Sequence, residues 1–451
     1  MEARSAPGAW SDEIPELLRL AGPMMLAQGG LMTMGMVDTF VVGRVSPLEM
    51  GGVALGNSVA SLVTVFGVGL ALGLEPLASQ AHGAGEAIRA RHWLLQGLWL
   101  SGFAAVPLVL LLLVSAQLLP YLGVSEALAD RAAVYLYART PGVFANGLYV
   151  AYRAYLSSVG RTRPVLVAVL SANVLNAFLD WYLVMELGLG AAGVGVATSL
   201  SWFLMLGIAA YAARADGPIT QRPEPPVAAD LRRVFGLGWP IGLHFTVEVG
   251  IFALVSMLIA RLGEVELSGH NIALMLASLT FMAAVGFAVA ATARVGHHVG
   301  AGDTAWARRT GFLAIGLGGA FMGACGLTFF FFAEPITRLF APSEPEVVAI
   351  GARLLRIAAV FSVCDGVQAV SAGALRGAGD TKWPFYVNTG AHWFIGLPVA
   401  LWLGYGLGWS TAGFWWGLTA GLTAVAVILL ARFAYLARGS LRRLEDPAPS
   451  L

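Results

Sequence analysis

Four carboxylates stand inside long apolar stretches of this chain: Asp38, Asp180, Glu248 and Asp365. An ionised side chain at the centre of a membrane helix costs about 3 kcal/mol or more, so such residues mark ion, proton or substrate sites. Six residues separate Asp38 from Arg44, and eight separate Asp180 from Gly188. At ~1.5 Å per helical residue these acids lie roughly 9 and 12 Å below the end of their spans. Thr198, eight residues after Gly190, reaches a similar depth. Asn173, Asn176 and Asp180 share one helix face by their spacing of three, four and seven. Two carboxylates, amide oxygens and a hydroxyl are hard donors of the kind a small cation takes. Crowded and buried carboxylates can take a proton instead.

The other two acids are placed differently. Glu248 is thirteen residues from Arg261, roughly 20 Å from that end. Asp365 is nine residues from Arg356 and eleven from Arg376, near the middle of its span. His244 precedes Glu248 by four residues and shares its face. Glu75 and Glu186 lie at span ends and are expected at the interface. Met24, Met25, Met32, Met34 and Met36 crowd one stretch; flexible thioethers suit promiscuous apolar binding as well as ordinary packing.

The elements that must hold these residues are membrane helices. Hydrophobic residues are 58% of 451 and charged residues 12%, against about 25% charged in soluble chains. Twelve apolar runs reach the ~20 residues that cross a bilayer: 14–43, 50–81, 93–120, 131–157, 163–187, 191–214, 231–262, 266–299, 306–333, 347–375, 382–404 and 410–437. With net charge +1, nothing points to nucleic acid. Cys325 and Cys364 fall within apolar runs and read as buried hydrophobes, giving no disulfide framework. The acids near the N-terminus and the long first run argue against a cleavable signal. No HExxH helix, G-x-S-x-G elbow or Walker A loop occurs, so the reading is of a protein that is no enzyme, with no cofactor and with energy from an ion gradient.

The chain repeats itself at an offset of 217. Pro23 falls on Pro240, Arg44 on Arg261, Glu49 on Glu266, Ala60-Ser61-Leu62 on Ala277-Ser278-Leu279, and Gly83-Ala84-Gly85-Glu86 on Gly300-Ala301-Gly302-Asp303. The acids do not repeat: Asp38 falls on Val255, and Glu248 on Leu31. The proline-rich stretch 214–233 reads as a linker. The expected fold is an all-α integral membrane protein of twelve helices in two pseudo-symmetric six-helix lobes. These are an N-lobe over 1–213, a linker over 214–233, a C-lobe over 234–437 and a tail over 438–451. An even number of spans gives both copies one orientation, with the pseudo-twofold axis along the membrane normal. Arg and Lys crowd the segments that share a side with the N-terminus, which predicts both termini in the cytoplasm of a multi-pass (inner) membrane protein.

The chain resembles the MATE multidrug and toxic-compound extrusion antiporters, most of all their NorM-like branch. The similarity covers nearly the whole chain. GPMMLAQGGLMTMGMVDTFVVGR resembles the family's opening helix, with Pro23, Asp38 and Gly43-Arg44. EPLASQAHGAGE resembles the signature closing span 2, and RVGHHVGAGD the one after span 8. GLGWPIGLHFTVEVGIFALV carries Glu248, and DGVQAVSAGALRGAGDTKWP carries Asp365. The resemblance implies Na+- or H+-coupled export of amphipathic, mostly cationic compounds. It implies a first-lobe cation site at Asp38, Asn176, Asp180 and Thr198, open to Na+, and second-lobe acids at Glu248 and Asp365. His244 has no counterpart in the family pattern. The expected partners are small organic cations and membrane lipid, and the expected state is a monomer. A lipid-linked precursor flippase of related architecture is the alternative, although such proteins line the cleft with Arg.

Overall fold

The computed structural model describes residues 10–214, 224–439 and 441–446, so part of the expected linker, 215–223, lies outside the described residues. Among the described residues the regular structure is all helical, without a strand. A backbone in lipid must satisfy its own N–H and C=O groups, and the helix does so within one segment. Hydroxyls inside these helices follow the same logic. Thr39, Thr64, Thr140 and Ser201 each donate to the carbonyl four residues back.

The first repeat begins with α1 (Trp10–Val42), α2 (Pro47–Leu72), α3 (Glu75–Gly83) and α4 (Ala87–Leu118). It continues with α5 (Glu126–Ser158), α6 (Arg163–Asp180) and α7 (Gly190–Arg214). The second holds α8 (Ala228–Ala260), α9 (Glu264–Gly300), α10 (Thr304–Phe331), α11 (Ala333–Phe340), α12 (Pro345–Gly377), α13 (Lys382–Ala391), α14 (Leu397–Leu401) and α15 (Ser410–Leu436). Among the described residues ten helical segments are long and apolar enough to cross a membrane by length and composition. The other two expected spans are helical as well. One is α5, whose apolar pattern is interrupted by Asp130, Arg131, Arg139 and Arg153. The other is broken into short pieces, α13 and α14 alternating with π-helical turns at His392–Gly396 and Trp402–Gly406.

The repeat keeps its architecture but slips in register. Ala87 and Thr304 open equivalent helices 217 apart; Arg163 and Lys382 are 219 apart; Gly190 and Ser410 are 220 apart. The slip absorbs the different lengths of the connections before α5 and α12 and of the broken helix before α15. The helix starts preserve a shared device. Glu49 accepts from the backbone N–H of Ala191 at 2.7 Å, and Glu266 accepts from the Ser410 hydroxyl at 2.8 Å. Gly190 and Ser410 both have positive φ, 51° and 53°, and Ser410 is the one non-glycine residue of this kind among those described. A side chain is strained there, and the Ser410 hydrogen bond offsets part of that cost.

Two compact units emerge from the packing. The first comprises Leu26–His82 and Glu86–Thr246; the second comprises Met1–Met25, Gly83–Gly85 and Val247–Leu451. In the first unit α2 and α8 approach so closely that a Cβ on Gly69 would lie 2.2 Å from the Gly242 Cα. In the second, a Cβ on Gly286 would lie 2.8 Å from the Met25 backbone nitrogen. These are equivalent crossings of the repeat, and small residues permit them, as is general for helices packed in lipid.

Each unit also fixes the start of a long helix by ionic contacts. In the second, Glu13 accepts from Arg294 Nε at 2.9 Å and Nη2 at 2.6 Å, and from the Thr310 hydroxyl at 3.1 Å. His298 Nε2 stands 3.5 Å from the same carboxylate. In the first, Asp230, at the position equivalent to Glu13, meets His92 Nε2 at 2.9 Å, while Glu224 meets His92 Nδ1. Of the two acids expected at span ends, Glu186 is exposed, but Glu75 is 2% exposed. The break between α2 and α3 folds Glu75 inward, where it makes polar contacts.

Candidate functional site

In the first unit, α1, α6 and α7 bring together the residues that spacing singled out. Thr198 donates from Oγ1 to Asp38 Oδ2 at 3.2 Å, in competition with the Val194 carbonyl at 2.9 Å. Asn176 and Asp180 stand beside the Asp38 carboxylate, close enough for polar contact with it but outside good hydrogen-bond geometry. Asn176 and Asp180 are 0% exposed, Asp38 5% and Thr198 4%. Asp180 closes α6 and leads into a π-helical turn, Trp181–Glu186. A π-turn inserts an extra residue and re-aims its neighbours, and such turns concentrate at functional sites.

This cluster is rich in polar atoms that the protein leaves unused. Asp38 Oδ1, both Asp180 oxygens, and Asn176 Oδ1 and Nδ2 are buried without a hydrogen-bond partner. Unsatisfied buried polar groups are rare and call for an explanation. Two carboxylates side by side repel one another, and one small cation or one proton relieves both deficits. Among the described residues no group of three or more His, Cys, Asp or Glu is arranged to hold a metal ion. The cluster's own donors are hard oxygens: two carboxylates, an amide and a hydroxyl. Asn173, on the same face of α6, instead donates to the Val169 carbonyl of its own helix at 2.9 Å.

Asp38 and Thr198 also line a cavity of about 880 Å³, within the size range of drug-binding pockets. Met32, Met34, Met36 and Met50 line it, with Phe40 and Trp202. Met24 and Met25, from the same sequence cluster, do not: Met24 is a core residue, and Met25 packs in the second unit. Arg139 of α5 lines the same cavity and was not singled out by the sequence. Its Nη1 donates to Asn57 Oδ1 and to the Tyr135 hydroxyl. The signal was present: it is one of few arginines deep within an apolar run. Its role could not be read there, because spacing alone does not say which face of α5 meets α1.

In the second unit, Asp365 of α12 is 6% exposed and stands within electrostatic reach of Glu248 on α8. Gln368 Nε2 donates to Glu248 Oε1 at 3.5 Å, a long contact. Gln368 Oε1 and the Ser362 and Ser371 hydroxyls are buried without partners. Gln368 and Ser362 lie three residues either side of Asp365, a spacing that would have found them. His244 is buried and falls in the first unit, edge-on to the Phe245 ring.

A helical membrane protein built from two related halves, with carboxylates buried in its spans, has the architecture on which many secondary transporters are built. The MatE family model matches it twice, over residues 23–182 and 240–402. The chain is 33% identical, over 95% of its length, to a probable multidrug resistance protein NorM of Pseudomonas syringae pv. tomato, covering 96% of that protein. The chain therefore belongs to the MatE family. Its fold matches the eukaryotic MATE transporter AtDTX14 with a TM-score of 0.85 at 23% identity, covering 95% of this chain and 98% of that one. It matches an outward-facing multidrug resistance MATE family transporter with a TM-score of 0.88 at 19% identity, over 94% and 96%. It also matches a MOP superfamily transporter from Pyrococcus furiosus, described as having a binding pocket of reverse polarity, with a TM-score of 0.87 at 19% identity, over 94% and 96%. The fold is thus shared by pockets of different charge, and the side chains must decide the substrate.

Proposed function

We propose that this protein is a secondary active multidrug efflux transporter, exchanging Na+ or H+ for amphipathic, mainly cationic organic compounds by alternating access. The observation that carries this reading is the buried cluster of Asp38, Asn176, Asp180 and Thr198, with its unpartnered oxygens beside a methionine-lined cavity. The name of the 33%-identical relative, a probable multidrug resistance protein NorM, supports it.

In this reading the coupling ion is a transported substrate. Facing outward, Asp38 and Asp180 take up Na+ or H+ and lose negative charge, so a cationic drug binds less well and leaves. Facing inward, loss of the ion restores the charge that attracts the next drug. Exchange requires that each ligand disfavour the other, a negative coupling between sites. Glu248 and Asp365 form a second acidic pair that serves coupling or substrate binding; His244 is a further candidate by its place four residues before Glu248 in the chain. The two six-helix lobes, 1–213 and 234–437, rock as repeats. The protein works as a monomer in the cell (inner) membrane, with both termini cytoplasmic, and needs no cofactor.

The test is dye efflux in everted vesicles with Na+ and pH gradients imposed one at a time. Efflux driven by one or both supports the reading. Efflux driven by neither, with the protein present and folded, overturns it.

A further inference from the structure

The cavity of the first unit holds both signs of charge. Asp38 contributes a carboxylate whose Oδ1 is unpartnered, and Arg139 contributes a guanidinium. The two attract one another, yet no direct ion pair joins them. Arg139 is fixed instead by its Nη1, which reaches Asn57 on α2 and Tyr135 one turn earlier on α5. Its guanidinium also lies over the Tyr135 ring, 5.6 Å from the centroid. The remaining N–H groups of the fork take no further hydrogen bond among the described residues. A planar fork held at one corner is pre-organised to receive a carboxylate, because little side-chain freedom is left to lose. Arg44 also lines the cavity, but it is exposed beyond the end of α1 and stacks on Phe40 at 4.6 Å.

A site built for cations alone has no use for Arg139, since a fixed positive charge repels a cationic occupant. We propose that Arg139 is a specificity-determining residue that makes this cavity a site for zwitterionic amphipaths. The substrate's carboxylate pairs with the Arg139 guanidinium, its ammonium faces Asp38, and its apolar body lies on the methionines. Met32, Met34 and Met36 supply a surface that adapts to different ring systems, while the two charges fix the substrate's orientation. The proposal rests on the transport reading above and narrows its substrate class. It also separates release into two parts: an ion arriving at Asp38 displaces the ammonium, and the carboxylate, left with one contact, follows.

The test compares two substrates that differ in one group, in proteoliposomes under the ion gradient that drives transport. Norfloxacin carries a carboxylate and an amine; its methyl ester keeps the ring system and the amine and loses the carboxylate. Wild type should have the lower KM for norfloxacin. Arg139→Gln should raise the KM for norfloxacin about tenfold, the worth of one charge-assisted hydrogen bond, and should lower the KM for the ester by relieving repulsion. Arg139→Lys, which keeps the charge but loses the planar fork, should retain only part of the preference, with norfloxacin still favoured over the ester. The proposal is overturned if both substrates move in the same direction in Arg139→Gln, or if neither moves; a residue that only ties α2 to α5 gives that result. If wild type transports neither compound under any ion gradient, the transport reading itself fails and the proposal with it.

Discussion

Replacing Asp38 by Asn removes one negative charge from the first unit and almost no volume. Asp38 and Asp180 are both buried, with three of their four oxygens unpartnered. A cation seated between them is held by both. Two unit charges ~4 Å apart at an effective dielectric of ~20 interact by about 4 kcal/mol. That is close to three decades in ion affinity. The amide can still accept from Thr198, so the packing at 3.2 Å survives. The amide also removes the repulsion between the two acids. The ion-free variant should therefore melt at a higher temperature than ion-free wild type. Wild type should gain about 2.7 kcal/mol when Na+ or H+ is raised to a hundred times its Kd, and Asp38→Asn should gain almost nothing. Two assays read this directly: thermal unfolding in detergent across a Na+ and pH series, and efflux of norfloxacin from cells. The expected result is a folded, more heat-resistant protein with efflux lost. Retained efflux, or an unchanged ion-dependent stabilisation, would remove this cluster from the coupling mechanism.

Four further outcomes follow from the same geometry. Glu248→Gln should abolish ion-driven drug release from proteoliposomes, since it neutralises the partner of Asp365 and Gln368; unchanged release removes the second acidic pair from the mechanism. Glu13→Gln should leave Arg294 uncompensated in a largely buried place and cost about 3 kcal/mol, seen as a lower melting temperature, whereas the double variant with Arg294→Met should recover part of the loss. Gly69→Ala should cost about 1–3 kcal/mol by overpacking, because its Cβ would meet Gly242 at 2.2 Å, while Gly102→Ala, with nothing within 4 Å, should be neutral or stabilising in the same unfolding assay. If one monovalent ion enters per cycle, export of a zwitterion moves net positive charge inward and should respond to an imposed potential by about 2.3 kcal/mol per 100 mV; export of a monocation is electroneutral and should not respond.

Much of the fold is legible because lipid leaves a chain few choices. An apolar run of adequate length must be a helix, so α1 and α9 can be read from composition. The two spans that composition reads less well fail for identifiable reasons. In α5, Arg131, Arg139 and Arg153 break the apolar pattern while pointing to partners: Arg131 meets Glu49 at 3.1 Å, and Arg153 donates to Gln28 at 2.8 Å. In the stretch 382–406, π-helical turns interrupt the helix, and no residue pattern signals a π-turn. The slip of the repeat from 217 to 220 is invisible where the matching residues are densest, since it accumulates in connections that do not align.

The sequence by itself determined which residues had to matter in the membrane. Asp38, Asp180, Glu248 and Asp365 stand out because burying a charge in hydrocarbon is expensive, a cost set by residue type and surroundings along the chain. It determined that Asn176 shares a face with Asp180, because helical periodicity is local. What only the tertiary structure decided is which of these meet. Asp38 and Asp180 are 142 positions apart, and their pairing depends on how α1, α6 and α7 pack. The same packing sorted one methionine cluster into a cavity wall (Met32, Met34, Met36) and core (Met24). It also placed the Arg139 cation in the same cavity as the Asp38 carboxylate. Electrostatics and cavity shape act through space across helices far apart in sequence, so they exist only once the helices are packed.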